Sequence, residues 1–453
     1  MKLLKRAVSA LCAAALLAGT FAGVTKPVSA AGAVLGYWPE PLEIPNEYYY
    51  ENETLQPYGS CFQIDELKNW SPDNDPDARY NRSAIPLADR WMGPNVNPLA
   101  SRDAKVMPLA MANARASQAP SQGGDGDSAY VFNNFQYVDI FNFWGGSSSE
   151  GPIAIPSPEI IDAAHRNGVP ATGTIFLPWG DSTYGDRFVR EMVEQDEDGR
   201  FIAADKLVEI AQYYGFDGYI FNAESGTGVA GFKEFLEYLQ EIKPDNFTIT
   251  WYNGSGSLST GSIQSWMQDG DTRVTDHWWL DMSGNGYVDS TIQAAQQTGV
   301  NPWNIHSTWE YWPMSGMSGV KGGNYQARLD ENGILKCSLG ILAPTCTLTQ
   351  ATSSEDFLNN QDQKLWVGPT YDPSSTYRPT NEFCGFASLV ADQTPVIGTD
   401  FVTNFTAGNG YRFYENGEVV GKEDGWYNRS LTDVLPTWRW IIESEGQKLD
   451  AVI

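Results

Sequence analysis

Phe216 to Ser225 reads FDGYIFNAES and ends with an amide and a carboxylate two residues apart, Asn222 and Glu224. The apolar, aromatic run before them predicts a strand, and alternation puts Gly218, Ile220, Asn222 and Glu224 on one face. Their two Cα atoms then lie roughly 6.6 Å apart from the strand rise. A retaining glycosidase normally sets two carboxylates about 5–5.5 Å apart, one as acid/base and one as nucleophile. Here one of the pair is an amide, which neither attacks nor delivers a proton but accepts one hydrogen bond and donates another. Such a pair suits a substrate that brings its own nucleophile. A 2-acetamido group attacks the anomeric carbon through its carbonyl oxygen and forms an oxazoline. Asn222 then holds the acetamide N–H, while Glu224 protonates the leaving oxygen and later activates water.

The elements that must position this pair repeat one theme from about residue 100: a short apolar strand, a polar loop, a helical pattern. The expected strands run over Lys105–Met111, Tyr137–Phe143, Pro170–Leu177, Gly218–Glu224, Thr248–Asn253, His277–Met282, Trp303–Thr308 and Ser338–Thr345. Most are near-continuous apolar runs, as parallel strands covered on both faces should be. PEIIDAAHRNG, ADKLVEIAQYYG and GFKEFLEYLQEIKP between them carry helical periodicity and end at Gly or Pro. Eight such alternations predict an α/β fold of the (β/α)8 TIM-barrel type, with functional residues at the C-terminal ends of the strands. A doubly wound open sheet is the alternative, but no Gly-rich phosphate turn follows the first strand. Residues 31 to about 100 read as an irregular wrap completing a barrel domain over 31–393. Residues 394–453 carry the turn signals Gly408-Asn409-Gly410 and Glu415-Asn416-Gly417 and predict a β-rich segment that closes the catalytic region and begins a further module. The chain is expected to be the front part of a longer protein.

MKLLKR, an apolar run to Val24 and the small residues Val28-Ser29-Ala30 predict a secretory signal over 1–30. The expectation is therefore a secreted or extracellular protein, or one held at the cell surface by a later region, with no membrane insertion after cleavage. Of 29 Lys and Arg, four lie in that leader, so the remaining chain carries 25 − 56 = −31 charges. That balance excludes nucleic acid as a partner. Cys61, Cys337, Cys346 and Cys384 show no CxxC spacing and read as buried free thiols, and the three histidines lack metal-ligand spacing. No metal or cofactor is expected, and the chain is expected to be a monomer.

DGYIFNAE resembles the strand-four motif of glycoside hydrolase family 85, the endo-β-N-acetylglucosaminidases, which ends in Asn-x-Glu. FQYVDIFNFW, AIPSPEIIDAAHRNGVPATGT, TITWYN, VIGTDFVTNFTAGNGYRFYENG and LPTWRW resemble further segments in the same order, spanning Phe132 to Trp440. The resemblance implies hydrolysis between the two core GlcNAc residues of N-linked glycans, with transfer to an acceptor sugar in place of water as a variant. It implies Asn222 as the residue that orients the acetamide, Glu224 as acid/base and Tyr252 as a hydroxyl supporting the acetamide or oxazoline. Trp251 is its neighbour in the sequence, and alternation lets only one of the two point inward. Departures from the family pattern at Asn253, after strand two (WGGSSSEG), at Pro178-Trp179 and at Leu280-Asp281-Met282 read as altered sugar subsites in a divergent branch.

Further candidates for sugar contact are Asn142 and Trp144 at the end of strand two, and Trp179, Trp279, Asp281 and Trp303 at or near other strand ends. Each competes with a packing or structural hydrogen-bonding role. His306 with Glu310 reads as a polar pair or loop feature, and His165 as a helix-terminal residue without function. Two other functions share these residues: a glycan-binding protein on a degenerate barrel, and a chitinase-like hydrolase of GlcNAc polymers. The proton donor argues against the first, and Asn rather than Asp at 222 against the second.

Overall fold

Eight parallel strands pair side to side and the last closes on the first. They are β1 (Val106–Ala110), β2 (Phe141–Phe143), β3 (Ala171–Leu177), β4 (Gly218–Ala223), β5 (Thr248–Tyr252), β6 (His277–Trp279), β7 (Ile305–Glu310) and β8 (Ser338–Leu342). Leu339 to Leu342 of β8 partner Val106 to Leu109 of β1, which makes the sheet a barrel and excludes the open doubly wound alternative. The computed structural model describes residues 61–75, 78–110, 112, 124–125, 130–144, 152–177, 182–281, 286–310, 322–396, 401–419, 425–435, 439–444 and 447–452. Residues 1–30, where a leader was expected, lie outside them.

All eight expected strands are present, each with bounds that differ from the expected ones at one end or both. β2 starts at Phe141 rather than Tyr137, because Phe135–Tyr137 form a 3-10 turn. The Asp139 carboxylate then accepts from the Val106 N–H at 2.8 Å, doing with a side chain what a ladder bond would do. The device recurs along the barrel's lower rim. Asp217 accepts from the Ala171 N–H at 2.9 Å, and Asp276 from the Ile249 N–H at 2.8 Å. β7 runs from Ile305 to Glu310, so Trp303 precedes it in a short 3-10 turn.

Helices α1 (Pro158–Arg166), α2 (Ser182–Met192), α3 (Ile202–Tyr214), α4 (Phe232–Ile242), α5 (Thr260–Trp266) and α6 (Val288–Gln297) lie between strands. α1 has proline in its first turn, where no N–H is needed. α3 stops at Gly215 in the left-handed region, φ +85°. α4 buries Phe232, Phe235, Leu236 and Leu239 along one face, the periodicity its sequence carries. Each such side chain contributes roughly 1.5–3 kcal/mol on burial.

The barrel has two apolar clusters. The outward side chains of the strands, Tyr219, Phe221, Ile249 and Trp251 among them, join the helices in the larger one. A smaller cluster fills the interior: Met107, Leu109, Ile140, Trp144, Phe176, Ile220 and Trp279, with Tyr184, Tyr252 and Leu342 against it.

After β8 the chain passes through short helices, and Asp362 is buried among them. It accepts from Asn134 Nδ2 at 2.7 Å and faces Thr347 Oγ1 at 2.9 Å. Thr347 has one hydroxyl hydrogen and also faces the Pro344 carbonyl at 3.0 Å, so it cannot donate to both. Burial pushes the Asp362 carboxyl up to about 7, against the pull of its hydrogen bonds. The unfolded chain has this group near its ordinary value of about 3.9. A raised acid binds its proton more tightly when folded, so stability falls as pH rises from about 4 to about 7 and then levels. In Asp362→Asn the amide N–H can donate to Thr347 while the amide oxygen accepts from Asn134. That variant is expected to melt higher than the parent at pH 8 and to lose the pH slope between 5 and 7. Thermal unfolding across that range checks it, and an unchanged slope counts against the buried charge.

Farther along, Asn416 and Gly417 (φ +51° and +83°) make a two-residue turn joining Tyr414–Glu415 to Glu418–Val419. Arg429 from this region is buried against α1, with its guanidinium bonded to the Tyr130 carbonyl at 3.0 Å and 3.5 Å from Glu159. Cys337, Cys346 and Cys384 are buried free thiols. Among the described residues no helix is long and apolar enough to cross a membrane.

Candidate active site

Half of the FDGYIFNAES motif is structural. Asp217 accepts from His165 Nε2 at 2.7 Å, from the Ala171 N–H and from Asn246 Nδ2 at 3.2 Å, locking the lower ends of β3 and β4. Burial pulls the His165 pKa down, but the Asp217 hydrogen bond and charge outweigh it and the net shift is upward. Gly218 has φ +120°, and a Cβ there would meet the Thr248 carbonyl oxygen at 2.0 Å, so no other residue fits between β4 and β5.

The other half points into the barrel. Ile220 belongs to the interior cluster, and alternation carries Asn222 up the same face to the C-terminal mouth. Asn222 is buried, and its Nδ2 has no hydrogen-bond partner among the described residues. Glu224 follows the strand end, is half-buried, and is held by its N–H to the Leu177 carbonyl at 3.2 Å. Phe176 of β3 and Tyr252 of β5 stand beside Asn222 in register. Following the register round the barrel, inward residues fall into layers supplied by alternate strands. Asn142, Ile220, Trp279 and Gly340 make one layer. Leu109, Thr174, Tyr252 and Thr308 lie above it, and Trp144, Asn222 and Leu342 lie above those.

Tyr252 and Trp251 divide as alternation requires. Tyr252 turns inward and donates its hydroxyl hydrogen to Asp281 Oδ2 at 3.1 Å. Its ring meets the edge of Trp279 at 5.6 Å and 72°. Trp279 is itself buried, with its indole N–H on the Met107 carbonyl at 3.2 Å. Gly340 makes room for that indole, since a Cβ there would meet Trp279 Nε1 at 2.5 Å. Trp279 is therefore floor beneath Tyr252. Trp251 turns outward and stacks on Trp266 of α5 at 4.6 Å and 10°, fully buried. The expectation that it touches sugar is corrected: the strand pleat gives it to the helix layer.

Trp144 stands at the mouth, edge-on to Phe176 at 5.8 Å, with no partner for its indole N–H among the described residues. Asn142 lies deeper, its Oδ1 taking the Thr172 hydroxyl and its Nδ2 without a partner among the described residues. Trp303 is a second correction. It precedes β7, at the barrel end opposite Glu224, and its carbonyl accepts from Ser338 Oγ at 2.7 Å. Trp179 lies outside the described residues. Phe176 went unselected in the sequence, although the period-two pattern of Thr172, Thr174 and Phe176 points it inward.

His306 pairs with His277 in the lower interior. A carbonyl only accepts, so His306 Nδ1 donates to Leu339 O at 3.2 Å, and its Nε2 accepts from His277 Nδ1 at 3.1 Å. Burial, with Lys105, Lys243 and Arg273 nearby, pushes His277 down to about 3 and keeps it neutral. These histidines seal the floor. Among the described residues no group of three or more His, Cys, Asp or Glu is placed to hold a metal.

Residues 112–413 match the family model described as Glycosyl hydrolase family 85. The chain belongs to glycosyl hydrolase family 85. Among family relatives, it is similar to the cytosolic endo-beta-N-acetylglucosaminidase of Danio rerio, 26% identical over 88% of this chain and 52% of that protein. It is also similar to the Homo sapiens enzyme of that name, 25% identical over 89% of this chain and 50% of that one. The chain thus spans about half the length of the curated relatives it matches. The crystal structure of the glycoside hydrolase domain of Endo-D from Streptococcus pneumoniae R6 superposes with TM-score 0.72 at 31% identity, covering 85% of this chain and 63% of that one. These names correct the expectation of secretion. The curated family 85 relatives are called cytosolic, which points to an intracellular class of enzyme rather than an exported one.

Proposed function

We propose that this chain hydrolyses the GlcNAc-β1,4-GlcNAc bond in the core of N-linked glycans by substrate assistance. The observation that carries the reading is a buried amide, Asn222, on the barrel-facing side of its strand, two residues before the carboxylate of Glu224, which follows the strand end of a family 85 barrel. The names of the relatives support the substrate class.

In the proposed step the acetamide oxygen of the sugar forms a bond to C1 as the bond from C1 to the leaving oxygen breaks. Glu224 gives its proton to that oxygen. Asn222 accepts the acetamide N–H through Oδ1, which raises the electron density of the carbonyl oxygen as it attacks. The ring formed is the oxazolinium, its N–H still held by Asn222; it opens when Glu224, now a carboxylate, takes a proton from water adding to C1, and overall retention follows. An acceptor sugar hydroxyl in place of water gives transfer. Trp144 and Phe176 form an aromatic wall for the sugar beside Asn222.

The test is to incubate the chain with a glycoprotein bearing high-mannose, complex and core-fucosylated glycans and weigh the products. A peptide retaining one GlcNAc, with the rest of the glycan released, is the expected result. Tight binding with unchanged mass would replace the enzyme with a glycan-binding protein.

A further inference from the structure

We propose that Asp281 is a positioning residue that acts through Tyr252, taking the phenolic hydrogen so that Tyr252 faces the substrate with its oxygen lone pairs. The inference rests on the substrate-assisted reading above and assigns a role that the motif alone does not contain.

The hydroxyl of Tyr252 lies 3.1 Å from Asp281 Oδ2. A carboxylate oxygen only accepts, so the direction of this bond is settled: the phenol donates. Tyr252 has one such hydrogen, and its remaining capacity is as an acceptor. Both partners are held. The Asp281 N–H is fixed to the Ser255 carbonyl at 2.9 Å, tying the end of β6 to the loop after β5. The tyrosine ring is held against Trp279, and that indole is anchored to Met107 over Gly340.

The chemistry explains why this direction matters. A phenol that donated to the acetamide carbonyl would engage the oxygen that must attack C1 and weaken it as a nucleophile. With its hydrogen given to Asp281, Tyr252 cannot do so. During attack, positive charge develops on the acetamide carbon and nitrogen as the oxazoline ring closes. A phenol oxygen polarised by a carboxylate stabilises that charge more than it stabilises the neutral amide, which is the condition for a rate effect. Tyr252 and Asp281 exchange no proton in the step. The proton for the leaving oxygen comes from Glu224, and the acetamide N–H is shared with Asn222.

A double-mutant cycle on the full chain, with an N-glycosylated glycopeptide as substrate, tests the coupling. Asp281→Ala is expected to lower kcat about tenfold or more with KM changed less than about threefold. Asp281→Asn, whose amide oxygen still accepts from Tyr252 but carries no charge, should fall between parent and Asp281→Ala. In a Tyr252→Phe background, Asp281→Ala should cost no more than about a further threefold, because the phenolic hydrogen it acts through is gone. Multiplicative losses in the double variant, or a change confined to KM, overturn the inference. Should Asp281→Ala fail to fold, the same cycle run with Asp281→Asn separates coupled from multiplicative losses. A parent chain that releases no glycan sinks the underlying reading instead, so the two failures are told apart.

Discussion

Glu224→Gln is expected to lose glycan release by at least about a thousandfold while folding as the parent does, since the leaving sugar oxygen is a poor leaving group without its proton. Glutamine keeps the shape and both hydrogen-bonding ends of the side chain but has no proton to give. Glu224 lies past the strand end and is half-buried, so the substitution disturbs no packed layer. Product release should be followed by mass spectrometry, with the melting temperature measured beside it. Cleavage near the parent rate with an unchanged melt would end the assignment of Glu224 as acid/base.

The second large effect is at Asn222. Asn222→Ala should reduce cleavage by about a hundredfold or more, because the acetamide loses the group that holds its N–H as the oxygen attacks. Glu224 remains, so transfer from a preformed sugar oxazoline to a GlcNAc acceptor is expected to persist: the step that needs Asn222 has been bypassed. The stability of this variant separates function from structure. Asn222 Nδ2 is buried without a partner among the described residues, an arrangement that costs roughly 1–3 kcal/mol of desolvation. Removing the amide offsets the small cavity it leaves, and the melting temperature should change little. A large loss of stability, or loss of oxazoline transfer together with hydrolysis, would show that Asn222 supports the barrel rather than the reaction. A buried donor left without a partner among the described residues is expected where a site awaits a ligand, here one that brings an acceptor to Nδ2 while Oδ1 takes the acetamide N–H.

The chain's own order of residues determined much of this. Eight apolar runs with helical patterns between them are local features, and the barrel follows because parallel strands with both faces apolar must be covered inside and out. The barrel-facing placement of Asn222 was legible for the same reason: a period of two puts it on the face of Ile220 whatever surrounds them. Tertiary structure decided the roles that depend on which face is inside and which end is open. Trp251 and Tyr252 are adjacent in sequence, and pairing of β5 with β4 and β6 sends one to the helices and the other to the mouth. Trp303 looked like a strand-end aromatic, but β7 begins two residues later and leaves it at the far rim. Asp281 is 29 residues from Tyr252, and only closure of β6 onto β5 puts its carboxylate on that hydroxyl. Periodicity is a property of neighbours along the chain, whereas a hydrogen bond between strand ends depends on register across the sheet, which no short stretch of sequence contains.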